Sequence, residues 1–268
     1  MPSITLTNAL RAEYQRLFDT CVATPARARS IDAIVDRIAT NQGRYETVAE
    51  PLGTPWHVVA VIHAMEGSLN FKTHLHNGDP LTARTKQVPA GRPPTGQPPF
   101  TWEESASDAL TLERLDRWTD WTVPGTLYKL EAYNGFGYRL RFPHVLTPYL
   151  WSFSNHYGSG KFVADGRFSD TAVSQQCGGA VLLRRMAERR IIDTQTELAP
   201  SVTTAVPKTL PLLQYSPAKV HPYGKQLQAF LNTLPNIYLK EDGKLGPRSS
   251  DAFREATGHY LDGDPRQR

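Results

Sequence analysis

A carboxylic acid placed on the apolar stripe of a helix is the first feature of this sequence with chemical potential. Glu66 follows Ile62 by four residues and Val59 by seven, so helical periodicity projects it from the same face as two core positions. A carboxyl group there loses hydration, which disfavours its ionised form and raises its pKa. An acid that keeps its proton near neutral pH can protonate a leaving group. The competing role is a structural ion pair at the helix edge. Gly67 and Ser68 follow directly, a pair that lets the backbone approach a neighbour closely.

Thirteen residues after Glu66 comes Asp79, inside the polar run Thr73-His74-Leu75-His76-Asn77-Gly78-Asp79-Pro80. A loop carboxylate facing an acid-bearing helix is what a glycosidase needs, one group protonating the glycosidic oxygen while the other activates water or stabilises positive charge. Asn77-Gly78-Asp79-Pro80 is equally a turn chosen for backbone geometry alone. His74, His76 and Asp79 also form an H-x-H plus carboxylate set, with His63 one turn before Glu66. A metal site needs rigidly held ligands and supporting partners, so neither a metal nor another cofactor is expected. Glu103 and Glu104 are explained as first-turn residues of a helix capped by the T-x-x-E pair Thr101 and Glu104.

Helices must position these groups. Leu10, Tyr14, Leu17, Phe18 and Cys21 share one face, and Ile31, Ile34, Val35 and Ile38 share another after a possible Ser30 cap. Thr54 and Pro55 open the helix that carries Val58, Val59, Ile62, Met65 and Leu69 inward and presents Glu66. From Pro80 to Pro99 six prolines and two glycines forbid a helix or central strand, which predicts a long ordered flap. Helices resume after Thr101 and from about Pro124 to Asn134-Gly135. The stretch TPYLWSFSNHYGSGKFVADGRF is strand-like or loop-like, and 173–192 is helical in pattern.

The chain has 268 residues, enough for one to two domains that bury a core without staples. Thirty Lys and Arg against 26 Asp and Glu leave +4 without long like-charge blocks, so a nucleic-acid footprint is missing. Cys21 and Cys177, the only two cysteines, exclude a disulfide scaffold and a Cys-rich zinc site. No apolar run reaches the ~18 residues of a membrane span, and the N-terminus lacks the pattern of an export signal. The expectation is a soluble chain without an ordinary leader. Residues 194–217 hold four prolines and two charges, Glu197 and Lys208, and read as a linker. Domains are expected over 1–195 and 218–268, with a Pro/Thr-rich linker over 196–217.

Glu66-Gly67-Ser68 at the end of one apolar helix and Ala132-Tyr133-Asn134-Gly135 at the end of another resemble motifs of the lysozyme-like superfamily, especially goose-type lysozymes and soluble lytic transglycosylases. Gly67 stands where that family commonly joins Glu directly to Ser. The blocks HLHNGDPLTART, YNGFGYR and TPYLWSFSNHY resemble phage-like and bacterial peptidoglycan hydrolases, the ordered set covering residues 50 to 190. The resemblance implies a mainly α, lysozyme-like domain, Glu66 as general acid, Tyr133 and Asn134 lining a sugar cleft, and Asp79 at an acidic position after an Asn-Gly turn. Sugar rings offer apolar faces, so aromatic and amide groups complete the expected substrate site: Ser68, His76, Asn77, Trp151, Asn155 and Tyr157 beside Tyr133 and Asn134.

The last segment carries its own likeness. Leu227-Gln228 on a helix, then Asp242-Gly243-Lys244-Leu245-Gly246-Pro247-Arg248-Ser249 and a closing helix with Ala252 and Phe253, resemble a peptidoglycan-binding repeat, which implies a small three-helix module. The expected function is cleavage of the β-1,4 bond between N-acetylmuramic acid and N-acetylglucosamine by a wall-tethered glycosidase. A lytic transglycosylase, an inactive peptidoglycan binder and a chitinase are the alternatives. Bacterial peptidoglycan is the partner implied, with no nucleic acid, no membrane insertion and a monomeric chain. Its place of action is the cell wall, reached by release or dedicated export.

Overall fold

The computed structural model of the chain describes residues 4–164, 166–193, 213–221, 223–234 and 237–267, in two compact units, Met1–Ser201 and Val202–Arg268. Most of the expected linker, 194–212, lies outside the described residues.

The first unit is mainly helical. Helix α1 (Asn8–Asp19) starts where the Thr7 hydroxyl accepts the Leu10 N–H, and it buries Leu10, Tyr14, Leu17 and Phe18. Helix α2 (Ala28–Thr40) buries Ile31, Val35 and Ile38, and it starts ahead of Ser30 because a 3-10 turn over Pro25–Arg27 leads into it. Helix α3 (Gln42–Leu52), not separated from its neighbours by the apolar pattern, ends at Gly53 in the left-handed conformation. Helix α4 (Trp56–Gly67) follows. Beyond the flap come α5 (Trp102–Leu112), α6 (Val123–Asn134) and the short α7 (Gly137–Arg141) and α8 (Pro148–Trp151). A small antiparallel hairpin of β1 (Lys161–Ala164) and β2 (Arg167–Ser169) precedes α9 (Gly179–Glu188). The helix expected over 173–192 begins only at Gly179: a Cβ on Gly178 would stand 2.2 Å from the Leu150 carbonyl oxygen, so the chain there passes extended against α8.

α3 and α9 both pack on α4, and α3 also packs on α5. His57, Val58, Val59, Ala60, Val61, Ile62, His63 and Met65 are consequently all buried, so α4 is a core helix apolar on every side. Four of these residues, Val58, Val59, Val61 and Ile62, are β-branched, which costs a helix up to ~0.7 kcal/mol each. Burying each contributes about 1.5–3 kcal/mol, so packing decides the conformation. Only the last turn of α4 leaves the core, and Glu66 is there.

The flap between α4 and α5 is irregular and is held by hydrogen bonds at particular residues. Arg92 N–H donates to Thr85 Oγ1 at 2.9 Å, and Phe100 N–H to the Leu81 carbonyl at 2.9 Å. Thr101 and Glu104 form the reciprocal capping box that opens α5.

The second unit contains two helices among its described residues, α10 (Gly224–Leu231) and α11 (Pro247–Thr257), rather than the three expected. Between them 237–246 runs as a loop that Gln228 fastens: Oε1 accepts the Gly243 N–H at 2.7 Å, and Nε2 donates to the Lys244 carbonyl and Ser249 Oγ, each at 3.1 Å. Leu231, Ile237 and Ala252 form its core. Tyr215 N–H donates to the Asp262 carbonyl and Ser216 N–H to the Leu245 carbonyl, both at 2.8 Å, so this end of the expected linker belongs to the module. Composition alone does not reveal such pairing.

Candidate functional site

Glu66 occupies the last turn of α4, where the residue is exposed and its carboxyl meets the buried Tyr149 ring. Loss of hydration raises its pKa above the ordinary glutamate value, the Glu113 charge adds to the rise, and a hydrogen bond from Tyr149 opposes it. Tyr149 Oη donates to Glu66 Oε1 at 2.8 Å. The ring sits on α8, which Thr147 caps and Pro148 starts, and it is buried. Burial and the neighbouring Glu66 charge hold the Tyr149 hydroxyl protonated well above the ordinary tyrosine range.

The backbone after Glu66 is unusual. Ser68 and Leu69 both adopt left-handed conformations, φ 49° and 57°, which non-glycine residues avoid. The Asn70 N–H to the Gly67 carbonyl (2.8 Å) and Arg37 Nη2 to the Leu69 carbonyl (3.2 Å) hold this turn. Gly67 is required by packing, since a Cβ would approach His63 Cδ2 to 2.9 Å. The glycine between Glu66 and Ser68 thus accommodates a buried histidine ring, which Tyr45 Oη meets at 3.1 Å from Nδ1. Desolvation lowers the His63 pKa to about 4.

One hollow adjoins this turn and another adjoins Tyr149. A cavity of about 290 Å³ is bounded by Asn134, Tyr138, Tyr149 and Phe162 among others, and a groove of about 880 Å³ runs along Met65, Ser68, Leu69 and Phe153. Lys161, Ser174 and Gln176 border both, so the two are neighbouring parts of one cleft, which Tyr149 lines and Glu66 does not. Gln176 Nε2 donates to the Met65 carbonyl, tying the 170–178 segment to the helix end that carries Glu66.

The structure therefore groups Glu66, Ser68, Tyr133 and Asn134. Tyr133 is half-buried, and Glu66 and Glu113 both raise its pKa along with burial, while Asn134 lines the smaller cavity. The remaining expected residues have other partners. Asp79 accepts the N–H groups of Lys86 (2.7 Å) and Gln87 (3.0 Å) and the side-chain amides of Asn77 and Gln87, each at 3.2 Å. These bonds depress its pKa, and Asp79 is not among the groups acting on Glu66. Its carboxylate, with Asn77, closes the flap. His76 Nε2 meets Asp108 Oδ2 at 2.8 Å, and Arg92 clamps the same carboxylate with two hydrogen bonds. His74 Nε2 donates to the Ala83 carbonyl at 2.8 Å, so the H-x-H pair fastens the flap to α5. Among the described residues no three His, Cys, Asp or Glu side chains converge as a metal site.

Trp151 is buried beside a separate hollow bounded by Glu13, Glu131 and Arg139. Asn155 accepts the Val22 N–H at 2.8 Å and donates to the Thr20 carbonyl at 3.1 Å, joining α8 to the end of α1. Tyr157 Oη accepts the Ser174 N–H and donates to the Gly160 carbonyl, each at 3.1 Å, which positions a residue of the cleft wall.

Tyr149, Glu113, Lys161 and Gln176 are absent from the sequence-based set. Thr147-Pro148, a cap followed by a first-turn proline, is the local signal that could have announced α8 and Tyr149. Glu113 follows the last turn of α5, and only tertiary packing brings its charge to bear on Glu66, Tyr133 and Tyr149. No helix among the described residues is long and apolar enough to cross a membrane. No protein-family profile, curated protein or solved structure matches the chain.

Proposed function

We propose that the first unit is a glycosidase acting on a polysaccharide strand, with Glu66 as general acid. One observation carries this reading: a glutamate whose proton affinity is raised by loss of hydration, bonded to the hydroxyl of a buried tyrosine that itself lines a cleft. Glu66 gives its proton to the glycosidic oxygen as the C–O bond breaks, and the Tyr149 hydroxyl stabilises the carboxylate left behind. The motif likenesses support bacterial peptidoglycan as the polymer, cut between N-acetylmuramic acid and N-acetylglucosamine. In the second unit the loop fastened by Gln228 is the part proposed to hold the wall, which raises the local substrate concentration.

For the second step Glu113 replaces Asp79 as the candidate carboxylate, since its charge acts on Glu66 and on both tyrosines. Attack by the substrate's own 6-hydroxyl, the lytic transglycosylase route, gains support from the occupation of the Asp79 carboxylate in the flap. Clearing of purified cell walls tests the main reading: Glu66→Gln is expected to reduce the rate by about 10²–10⁴-fold. Clearance at the native rate by that variant would sink it. Mass spectrometry of the fragments separates reducing ends, made by hydrolysis, from anhydro ends.

A further inference from the structure

The larger half of the cleft carries a charge pattern that acid catalysis does not require. Arg27, Arg37 and Lys161 border it, and no Asp or Glu does. Arg27 donates to Gln175 Oε1 at 2.8 Å and lies over the Phe153 ring, 4.5 Å from its centroid. Arg37 donates to the carbonyls of Ser68 (3.4 Å) and Leu69 (3.2 Å). These partners are neutral, and among the described residues none of the three cations is paired with a carboxylate. A guanidinium has five donors, so Arg27 and Arg37 keep several for a ligand while their positions are already set. Between them Ile34, Met65, Leu69 and Phe153 supply an apolar floor.

We infer that this groove binds a peptide branch ending in carboxylates, carried by the polymer whose backbone passes Glu66. The inference rests on the glycosidase reading and adds what distinguishes one strand from another. The groove volume of about 880 Å³ falls in the range of ligand sites, about 300–1,000 Å³, and through Lys161, Ser174 and Gln176 it neighbours the hollow lined by Tyr149, the partner of Glu66. An uncharged strand laid across it would cover cations without giving them partners, whereas a branch with carboxylates offers each a charge-assisted hydrogen bond.

Two measurements on the full chain test the groove. The first compares kcat/KM on glycan strands bearing their peptides with the same strands stripped of peptides by an amidase. The native protein is expected to favour peptide-bearing strands about tenfold, the effect of two or three partly exposed ion pairs, and to lose the preference as salt rises. Arg27→Gln should reduce it through KM, leaving kcat on stripped strands unchanged, and the double variant Arg27→Gln/Lys161→Gln should remove it. Equal rates of the native protein on both strands, or an undiminished preference in the double variant, overturn the inference. The second measurement needs no catalysis: NMR shifts of the Arg27 and Gln175 side chains on titration with a soluble stem peptide and with its amidated form. Shifts with the acid form only are expected, and none up to about 10 mM refutes the site. A protein that cleaves neither strand yet shows those shifts loses the glycosidase reading and keeps the groove.

Discussion

Replacing Tyr149 by Phe removes one hydroxyl from a buried ring and nothing else. That hydroxyl donates to Glu66 Oε1 at 2.8 Å, and burial keeps it protonated at every working pH, so it stabilises the ionised carboxylate more than the neutral acid. A hydrogen bond to a charged group contributes about 1.5–3 kcal/mol, and 1.36 kcal/mol corresponds to one pKa unit. Solvent reaches one side of Glu66, which places the effect at the lower end, about one unit. The sign follows: loss of a bond to the carboxylate raises a pKa that crowding has already raised. If Glu66 is the acid proposed above, cleavage needs it protonated and fails as pH rises through that pKa, so the alkaline limb should move upward by about one unit in Tyr149→Phe. A pH–rate profile on purified walls reads the limb, and ¹³C NMR of the Glu66 carboxyl reads the titration without catalysis. A Glu66 pKa that stays put or falls would refute the reasoning.

Two further expectations concern the scaffold. Glu131 is 2% exposed and accepts hydrogen bonds from Tyr14 Oη (2.5 Å) and from Arg139 Nε (3.2 Å) and Nη2 (3.1 Å), so Arg139→Met leaves a buried carboxylate without its cation. With Arg139 itself partly exposed, the loss should be about 3 kcal/mol, measured by urea unfolding. All five tryptophans lie in the first unit, so their fluorescence reports on it alone, and a change under ~1 kcal/mol contradicts the assignment. Asp79→Asn should loosen the flap and speed proteolysis between Pro80 and Pro99 while leaving the pH profile of cleavage in place. The native Asp79 pKa is depressed, so its contribution to stability is present above the ordinary carboxylate range and lost as pH falls through the depressed value. A displaced alkaline limb in this variant would restore Asp79 to the chemistry.

The legible part of this protein was local. Helical spacing of Leu10, Tyr14, Leu17 and Phe18, the Thr101–Glu104 box, the stop at Asn134-Gly135 and the prolines from 80 to 99 each act over a few residues, and each has the expected consequence in the structure. Spacing from Ile62 and Val59 singled out Glu66, but α4 is buried on every side, so its place in the last turn rather than a helix face brings it to solvent. Tertiary packing decided what surrounds it. Whether Asp79 or Glu113 lies near Glu66 depends on how a flap folds back on α5 and where α5 ends against α6, and neither leaves a periodic trace. Tyr149 reaches Glu66 across 83 residues of sequence, and Arg27 meets Gln175 across 148. Spacing along a chain specifies which side chains share a face of one element. Which faces meet, and so which charges act on one another, is settled by the packing of a shared core.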